Sequence, residues 1–343
     1  MRKPRKTRAG AAIPPGPWSG LVALNRRTWL GIMGAGVAGG LARAGGPGPG
    51  AAPAGDEPPA RRGTPTRFQV ACMTLSYSQF SLQRALTGIK AAGYQHVTWG
   101  TTHLDKGGVE TPILGGDAAA DRARELGKRC RDLGLEPLMM FSGIYPEADE
   151  ALNVLRRRIL QAKAGGVPQV LTFGHTRGGN RKLWVERFKQ LGPMARDRGV
   201  TIVVKQHGGE TGTGAACAAI VREVNDAGIK VNYDAGNVMD YLDVDPIPDL
   251  RTCVEEVRSF CIKDHRNTPR DEDCGPGFGE IDHYKLLGLV AFTGRTIPLC
   301  CENVFAPLLP RPGSAAEIDA LARIAHEYLE LVIRGLQSMQ PRS

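Results

Sequence analysis

The sequence has no CxxC pair among its eight cysteines and no apolar run approaching the ~20 residues that a membrane-spanning helix needs. In a chain of 343 residues, so few and scattered cysteines exclude a small disulfide framework. We therefore expect mostly buried thiols, such as Cys72, Cys300 and Cys301 in apolar, strand-like runs. The missing apolar run argues against a stable membrane anchor.

Acidic residues are absent from positions 1–44, which hold eight of the 44 basic residues. Because the whole chain has 35 acidic residues, the remainder is close to neutral, with 36 basic against 35 acidic side chains. A neutral folded part lacks the basic surface that binds a phosphate backbone, so no nucleic-acid partner is expected.

The same N-terminal segment contains Arg26-Arg27, then a Gly/Ala-rich apolar run, and then Ala42-Arg43-Ala44. This arrangement resembles a twin-arginine export signal with its cleavage site. We interpret residues 1–44 as that signal, residues 45–66 as a flexible, disordered linker, and residues 67–338 as the folded domain. A membrane anchor and a disordered tail are the alternatives. A signal of this kind predicts a periplasmic or other extracytoplasmic protein.

The glycine fingerprint of dinucleotide-binding folds, GxGxxG, does not follow the first predicted strand. From Phe68 onward, short apolar runs alternate with longer amphipathic stretches, which is typical of βα units around a parallel sheet. Eight alternations favour an α/β fold of the (β/α)8-barrel type over an open doubly wound sheet. The predicted strands are 68–73, 96–99, 136–141, 169–173, 201–205, 230–233, 259–262 and 297–301, and the predicted helices include 82–92, 118–133, 151–164, 184–198, 215–227 and 315–336.

Polar residues follow most of the predicted strands, at the end where a barrel carries its chemistry. A single polar residue there is more often a helix cap or a loop anchor, but several buried charges in one mouth would be costly without a function. The residues are His103, Ser142, His175, Gln206, His207, Asp234, Asn237, Lys263, Asp264, His265, Glu302 and Asn303.

Several of these motifs resemble the xylose isomerase-like TIM barrel superfamily, in its sugar phosphate isomerase/epimerase branch. The resemblance covers Phe68 to the last helix. It is carried by residues 85–94, His207-Gly208-Gly209, Tyr233-Asp234-Ala235-Gly236-Asn237, Ile262-Lys263-Asp264, residues 277–282 and Glu302. It implies a sugar isomerase or epimerase that works through enediolate proton transfer, assisted by a divalent metal such as Mn, Mg, Co or Zn.

The ligand set that the resemblance implies is only half present. Asp234 and Glu302 match two of the four usual ligands, whereas Lys205 and Cys261 stand where a glutamate and a histidine are usual. One hypothesis is a rebuilt metal site that uses Asp234, Glu302, His207, His265 and, as a soft ligand, Cys261. The other is a site without metal, in which the Lys205 ammonium supplies the positive charge.

Roles are assigned on the same basis. We expect Glu302, Lys205 and His207 to act in catalysis, and a second set of polar residues to contact the substrate. Satisfied loop hydrogen bonds, or a solvated Lys-Asp pair, are the alternative reading of this second set. The set consists of His103, His175, Asn237, Lys263 and Asp264.

Three functions remain open from the sequence. The first is an exported isomerase or epimerase, or a lyase with the same chemistry, that acts on a small-molecule sugar or keto-sugar. The second is a carbohydrate-binding barrel that has lost catalysis, because Lys205 and Cys261 occupy ligand positions. A nuclease of the endonuclease IV type is the third, and near-neutral charge argues against it. A homo-oligomer is compatible with the sequence.

Overall fold

A computed structural model describes residues 63–105 and 107–338. The predicted signal at 1–44 and the predicted linker up to residue 62 lie outside the described residues. Thr66, which we expected in the linker, is buried, and its backbone N–H donates to the Ala291 carbonyl at 2.8 Å. The folded part therefore begins slightly before residue 67.

Eight parallel strands close into a barrel, as the alternation predicted. Each strand pairs with its neighbours in chain order, and the last strand pairs with the first, so the sheet has no free edge. The predicted strand ends differ from the observed ones by at most two residues. The strands are β1 (Arg67–Met73), β2 (His96–Trp99), β3 (Glu136–Phe141), β4 (Gln169–Phe173), β5 (Thr201–Lys205), β6 (Ile229–Asp234), β7 (Val257–Ile262) and β8 (Thr296–Cys301).

Helices connect the strands and surround the sheet. The predicted helix 215–227 ends earlier, at Val224, because Asn225 takes the left-handed conformation (φ 54°) that terminates it. No helix in the described ranges is both long and apolar enough to cross a membrane. The helices are α1 (Leu82–Ala91), α2 (Ala120–Asp132), α3 (Ala151–Gly165), α4 (Arg181–Arg196), α5 (Gly214–Val224), α6 (Ala235–Leu242), α7 (Pro246–Arg251), α8 (His283–Gly288) and α9 (Ala315–Gln337).

Two antiparallel hairpins, which the sequence analysis did not predict, extend from the C-terminal ends of barrel strands. Residues 102–104 pair with residues 110–112 after β2, and residues 264–266 pair with residues 272–274 after β7. Helix α6, which begins directly at Ala235, was not among the predicted helices either. The Asp234 side chain accepts the Asn237 N–H and so caps that helix.

The apolar core has two layers. Side chains that point into the barrel, including Met73, Met139, Val203 and Cys261, form a small inner cluster. A larger cluster fills the space between the sheet and the helices. All eight cysteines are free and buried, which confirms the expectation of buried thiols. The inner cluster closes the barrel below the polar residues at its C-terminal end.

Candidate active site

A buried lysine lies between two carboxylates at the C-terminal end of the barrel. Lys205 ends β5, Asp234 ends β6, and Glu302 follows β8. The Lys205 Nζ donates to both Glu302 oxygens at 2.9 Å and lies 3.1 Å from Asp234 Oδ2. The side chains of Lys205 and Asp234 are almost completely buried, and Glu302 is 13% exposed. Glu302 is therefore the member of this group that faces the open end of the barrel.

Each charge in this group is held by its neighbours. Burial alone would lower the pKa of Lys205, but the carboxylates of Glu302 and Asp234 raise it above its usual value, so the ammonium persists. Burial would raise the pKa of Glu302, yet Lys205 and Lys263 lower it. In Asp234, burial prevails over the two lysines, and its pKa is raised. The two carboxylates thus differ in basicity.

His207 is a neutral imidazole next to this group. Its Nδ1 lies 2.7 Å from the Gly174 carbonyl. Because a carbonyl only accepts, Nδ1 carries the proton and Nε2 carries the lone pair. Burial, followed by the positive charge of Lys205, lowers the pKa of His207 to about 3. His207 can therefore accept a hydrogen bond from a hydroxyl group at neutral pH.

Aromatic rings form one wall beside the polar group, and the sequence analysis did not single them out. The Phe173 ring lies 5.4 Å from Lys205 Nζ and 4.5 Å from the His207 ring. Tyr145 packs between Phe173 and the exposed ring of His175, which is 3.9 Å away. The position of Phe173 at the end of β4 was the available signal. Such a wall suits the apolar face of a sugar ring.

Lys263 and Asn237, both predicted to contact substrate, bind each other. The Lys263 Nζ donates to Asn237 Oδ1 and lies 2.8 Å from Asp273 Oδ2 and 4.0 Å from Asp234 Oδ2. The Asn237 amide donates to the Gln206 carbonyl at 2.7 Å. The polar groups of Asn237 are therefore occupied, and Lys263 connects the Lys205 group to Asp273.

Asp264 is a loop anchor, and we remove it from the residues expected to contact substrate. Its carboxylate accepts N–H groups from His265, Gly277 and Ile281 at 2.9–3.0 Å. A Cβ at Gly279 would lie 2.2 Å from Asp264 Oδ1, so the close approach of the loop requires glycine there. Asp264 and Lys263 do not pair, so the alternative of a solvated Lys-Asp pair is wrong.

The remaining two histidines lie in other surroundings. His103 is buried in the first hairpin, and its Nδ1 lies 2.9 Å from the Phe80 carbonyl. In the described part of the chain, no hydrogen bond or ring contact joins His103 to the Lys205 group. His265 belongs to the second hairpin, where its neighbours are Asp271 and Asp273. The five expected metal ligands are therefore divided between two places.

The family model for the xylose isomerase-like TIM barrel matches residues 86–324, which is more than half of the chain. This chain belongs to that family. No curated protein matches it. The match confirms the resemblance drawn from the sequence motifs and the barrel fold.

Several solved structures share the architecture of this chain. L-ribulose 3-epimerase aligns with a TM-score of 0.61 at 16% identity, covering 80% of this chain and 99% of that one. A zinc-bound IOLI protein aligns with a TM-score of 0.63 at 18% identity, covering 79% of this chain and 100% of that one. A xylose isomerase-like TIM barrel protein from Mycobacterium smegmatis, in complex with magnesium, aligns with a TM-score of 0.61 at 17% identity. The alignment covers 78% of this chain and 97% of that one. At such identities the likeness shows a shared fold.

Because xylose isomerase-like barrels include metal-bound structures, the fit of a cation to the Lys205 group matters. Ligand atoms of Asp234, Cys261 and Glu302 lie within 4.8 Å of one another. However, the Lys205 ammonium lies between the two carboxylates, and a protonated amine cannot coordinate. Burial also raises the pKa of Cys261, so it stays a thiol. The space between the two carboxylates is therefore occupied by the Lys205 ammonium group and does not fit a divalent cation.

Proposed function

We propose that this chain is a sugar isomerase or epimerase in which the Lys205 ammonium supplies the positive charge of the active site. The proposal depends on one observation, that Lys205 is held within 2.9–3.1 Å of both Glu302 and Asp234 at the C-terminal end of the barrel. Keeping three charges out of water costs stability, and such groups concentrate at functional sites. The substrate class is a sugar or keto-sugar.

The chemistry assigned to these groups is enediolate formation. Glu302 takes the proton from the carbon next to the substrate carbonyl, the C–H electron pair forms the new C=C bond, and the carbonyl π electrons move to oxygen. The Lys205 ammonium stabilises the negative charge on that oxygen. Return of the proton to the neighbouring carbon, with a proton transfer between the two oxygens, gives the isomer. Return to the opposite face of the same carbon gives the epimer.

In this scheme, substrate binding raises the pKa of Glu302, which is low in the free protein. Both Glu302 oxygens accept N–H groups from Lys205. An N–H that turns to the substrate oxygen is withdrawn from a carboxylate, which raises the pKa of Glu302 towards its usual range. His207 accepts a substrate hydroxyl at Nε2, and the ring of Phe173 packs on the sugar face. Because burial raises the pKa of Asp234, its carboxyl group can hold a proton and deliver it to the opposite face of the substrate, and the proton taken up by Glu302 then replaces it.

Hydrogen exchange tests this function without knowledge of the sugar. The folded protein is incubated with a panel of ketoses and keto-sugars in heavy water, and deuterium at the carbon next to the carbonyl is followed by NMR. We expect exchange with at least one sugar. We also expect a loss of about 100-fold or more in Glu302→Gln and Lys205→Met, since proton transfer and oxyanion stabilisation each contribute at least that much.

The barrel offers a matched control at its other end. Lys230 and Glu256 form a second Lys-Glu pair, also 2.9 Å apart, where β6 and β7 begin. Glu256→Gln should keep the exchange rate of the wild type. Absence of exchange with every sugar, with and without added divalent cations, would contradict the proposal. Equal losses in Glu256→Gln and Glu302→Gln would assign the effect to stability.

A carbohydrate-binding role without turnover is the second candidate, and one observation favours it. Both oxygens of Glu302 are already occupied by Lys205, so the carboxylate is a weak base before substrate binds. Calorimetric binding of a sugar that shows no exchange in heavy water would support this role over the enzyme.

The cellular location is part of the proposal. We propose that Arg26-Arg27 and the apolar run after them direct export of the chain by the twin-arginine route. That route carries folded proteins, which agrees with eight buried free thiols.

A further inference from the structure

A second group of potential ligand side chains, of which the central histidine is buried, lies outside the Lys205 group. Asp240 belongs to α6, and His265 and Asp271 belong to the hairpin after β7 and the turn within it. One ligand atom from each of these residues lies within 4.8 Å of the other two. His265 Nε2 and Asp271 Oδ1 are 3.5 Å apart. Two ligands about 2.1 Å from one ion at a tetrahedral angle are separated by about 3.4 Å.

One atom in this group has an unmet bonding requirement. His265 is fully buried, and its Nε2 has no hydrogen-bond partner in the described residues. Such an atom is costly unless something else satisfies it. The other ring nitrogen, Nδ1, lies 3.1 Å from Asp273 Oδ1. A carboxylate that holds one imidazole nitrogen while the other points at a ligand site is the usual arrangement around metal-binding histidines.

The charge balance of the group differs from that of the Lys205 group. Within the described ranges, no lysine or arginine nitrogen lies within 4.0 Å of Asp240 or Asp271. Lys263 pairs with Asp273 at 2.8 Å and so compensates only the outer carboxylate. Metal coordination requires the lone pair on His265 Nε2, and with the imidazole in that form the two carboxylates leave a double negative charge that a divalent cation would balance.

We propose that Asp240, His265 and Asp271 bind a divalent first-row cation of the Zn²⁺, Mn²⁺ or Co²⁺ class, with Asp273 orienting the imidazole. An imidazole nitrogen with two carboxylates suits these ions, whereas Mg²⁺ prefers oxygen ligands and keeps its water. The site is distinct from the Lys205 group and goes beyond the proposed sugar chemistry. Lys263 and Asp273 lie between the two groups.

The test is zinc binding by the folded, full-length chain. Zn²⁺ is titrated calorimetrically, and the metal retained after dialysis is measured by elemental analysis. We expect one equivalent in the wild type. Asp240→Asn and Asp271→Asn should weaken binding by more than about 100-fold, and Asp273→Asn by about 10–100-fold, because it only orients the ligand. Melting temperatures of the variants establish that each is folded.

Asp234→Asn is the matched control, because it removes a carboxylate from the other group and keeps an N-cap residue on α6. This variant should bind Zn²⁺ as the wild type does. Loss of binding in Asp234→Asn with retention in Asp240→Asn would overturn the proposal and place the ion at Lys205. Failure of the folded wild type to bind Zn²⁺, Mn²⁺ or Co²⁺ would also overturn it.

Cobalt gives a readout that needs no variant. Co²⁺ bound to Asp240, His265 and Asp271 should show visible d–d absorption without the sulfur-to-cobalt charge-transfer band. Co²⁺ at Asp234, Cys261 and Glu302 would involve the thiolate of Cys261 and show that band. Appearance of the charge-transfer band on addition of one equivalent to the wild type would contradict the assignment.

Discussion

Among single residues, Lys205 places a positive charge between the two carboxylates at the C-terminal end of the barrel. Removing one partner from a buried ion group leaves an uncompensated charge, which typically costs about 3–5 kcal/mol. Lys205 shares its charge with Glu302 and Asp234, so the three side chains act as one unit. A change at any of them alters the protonation of the other two.

Lys205→Glu should convert the site of the lysine ammonium into a binding site for a divalent metal ion. Glutamate at this position, with Asp234 and Glu302, offers three carboxylates that repel one another unless a cation binds. We expect a lower melting temperature than wild type without metal and recovery on addition of Mn²⁺ or Zn²⁺. At a metal-ion concentration 100 times the Kd, binding should raise the free energy of unfolding by about 2.7 kcal/mol. Thermal unfolding with and without metal measures it.

Asp240→Asn is included in the background of that experiment to remove the second proposed site. Lys230→Glu, at the opposite end of the barrel, is the control, and no recovery with metal is expected there. An unchanged melting temperature on metal addition to the Lys205→Glu protein would contradict the prediction.

His207 should make the stability of the protein fall in mild acid. Its pKa is lowered from the usual 6.5 to about 3 in the folded state, by burial and then by Lys205. Below pH 6.5 the unfolded chain takes up a proton that the folded chain refuses, so this contribution is present above 6.5 and lost as pH falls. Between pH 7 and pH 5, the free energy of unfolding should fall by about 2 kcal/mol from this group.

Urea unfolding at the two pH values measures the loss, and His207→Gln should remove about that much of the pH dependence. His175→Gln, which replaces an exposed imidazole on the same wall, is the control and should keep the wild-type dependence. If both variants behaved like the wild type, His207 would not be the responsible group.

At the scale of elements, the segment after β7 depends on one carboxylate. Asp264 accepts N–H groups from His265, Gly277 and Ile281, and so connects the second hairpin to the glycine-rich loop before α8. Hydrogen bonds to a charged group contribute about 1.5–3 kcal/mol each. This single side chain therefore fixes the hairpin that carries His265 and Asp273.

Asp264→Ala should destabilise the protein by at least about 2 kcal/mol, because three backbone donors lose their partner. Limited proteolysis should detect faster cleavage between residues 267 and 280. Asp282→Ala, which removes the N-cap of α8 at the surface, should cost only about 1 kcal/mol. Equal effects of the two changes would show that Asp264 does not anchor the loop.

At the scale of the whole molecule, the N-terminal prediction can be tested in the cell. A twin-arginine signal is read as a pair of arginines, so Arg26→Lys with Arg27→Lys should abolish export. Fractionation of a twin-arginine-competent host measures the product outside the cytoplasm. Arg2→Lys with Arg5→Lys keeps the charge and is the control. Export of both variants at the wild-type level would contradict the prediction.

Much of the fold was predictable because each βα unit is encoded locally. All eight strands followed from short apolar runs, and most large helices followed from amphipathic spacing with a glycine stop. The two hairpins and the helices α6, α7 and α8 were not predicted, because each is too short to show a clear periodicity. Asp234 was predicted only as a site residue at the end of a strand, and the structure shows that it also forms the N-cap of α6.

Local periodicity in the sequence favours an α/β barrel, predicts the buried thiols and indicates the end of the barrel at which polar residues gather. Which of these polar residues meet depends on the tertiary structure. In the folded barrel, the Lys205 ammonium lies between Glu302 and Asp234. His265 lies beside Asp240 and Asp271, and Asp264 anchors a loop. Side chains far apart along the chain come into contact only through the curvature and register of the closed sheet, and no local pattern encodes such a contact.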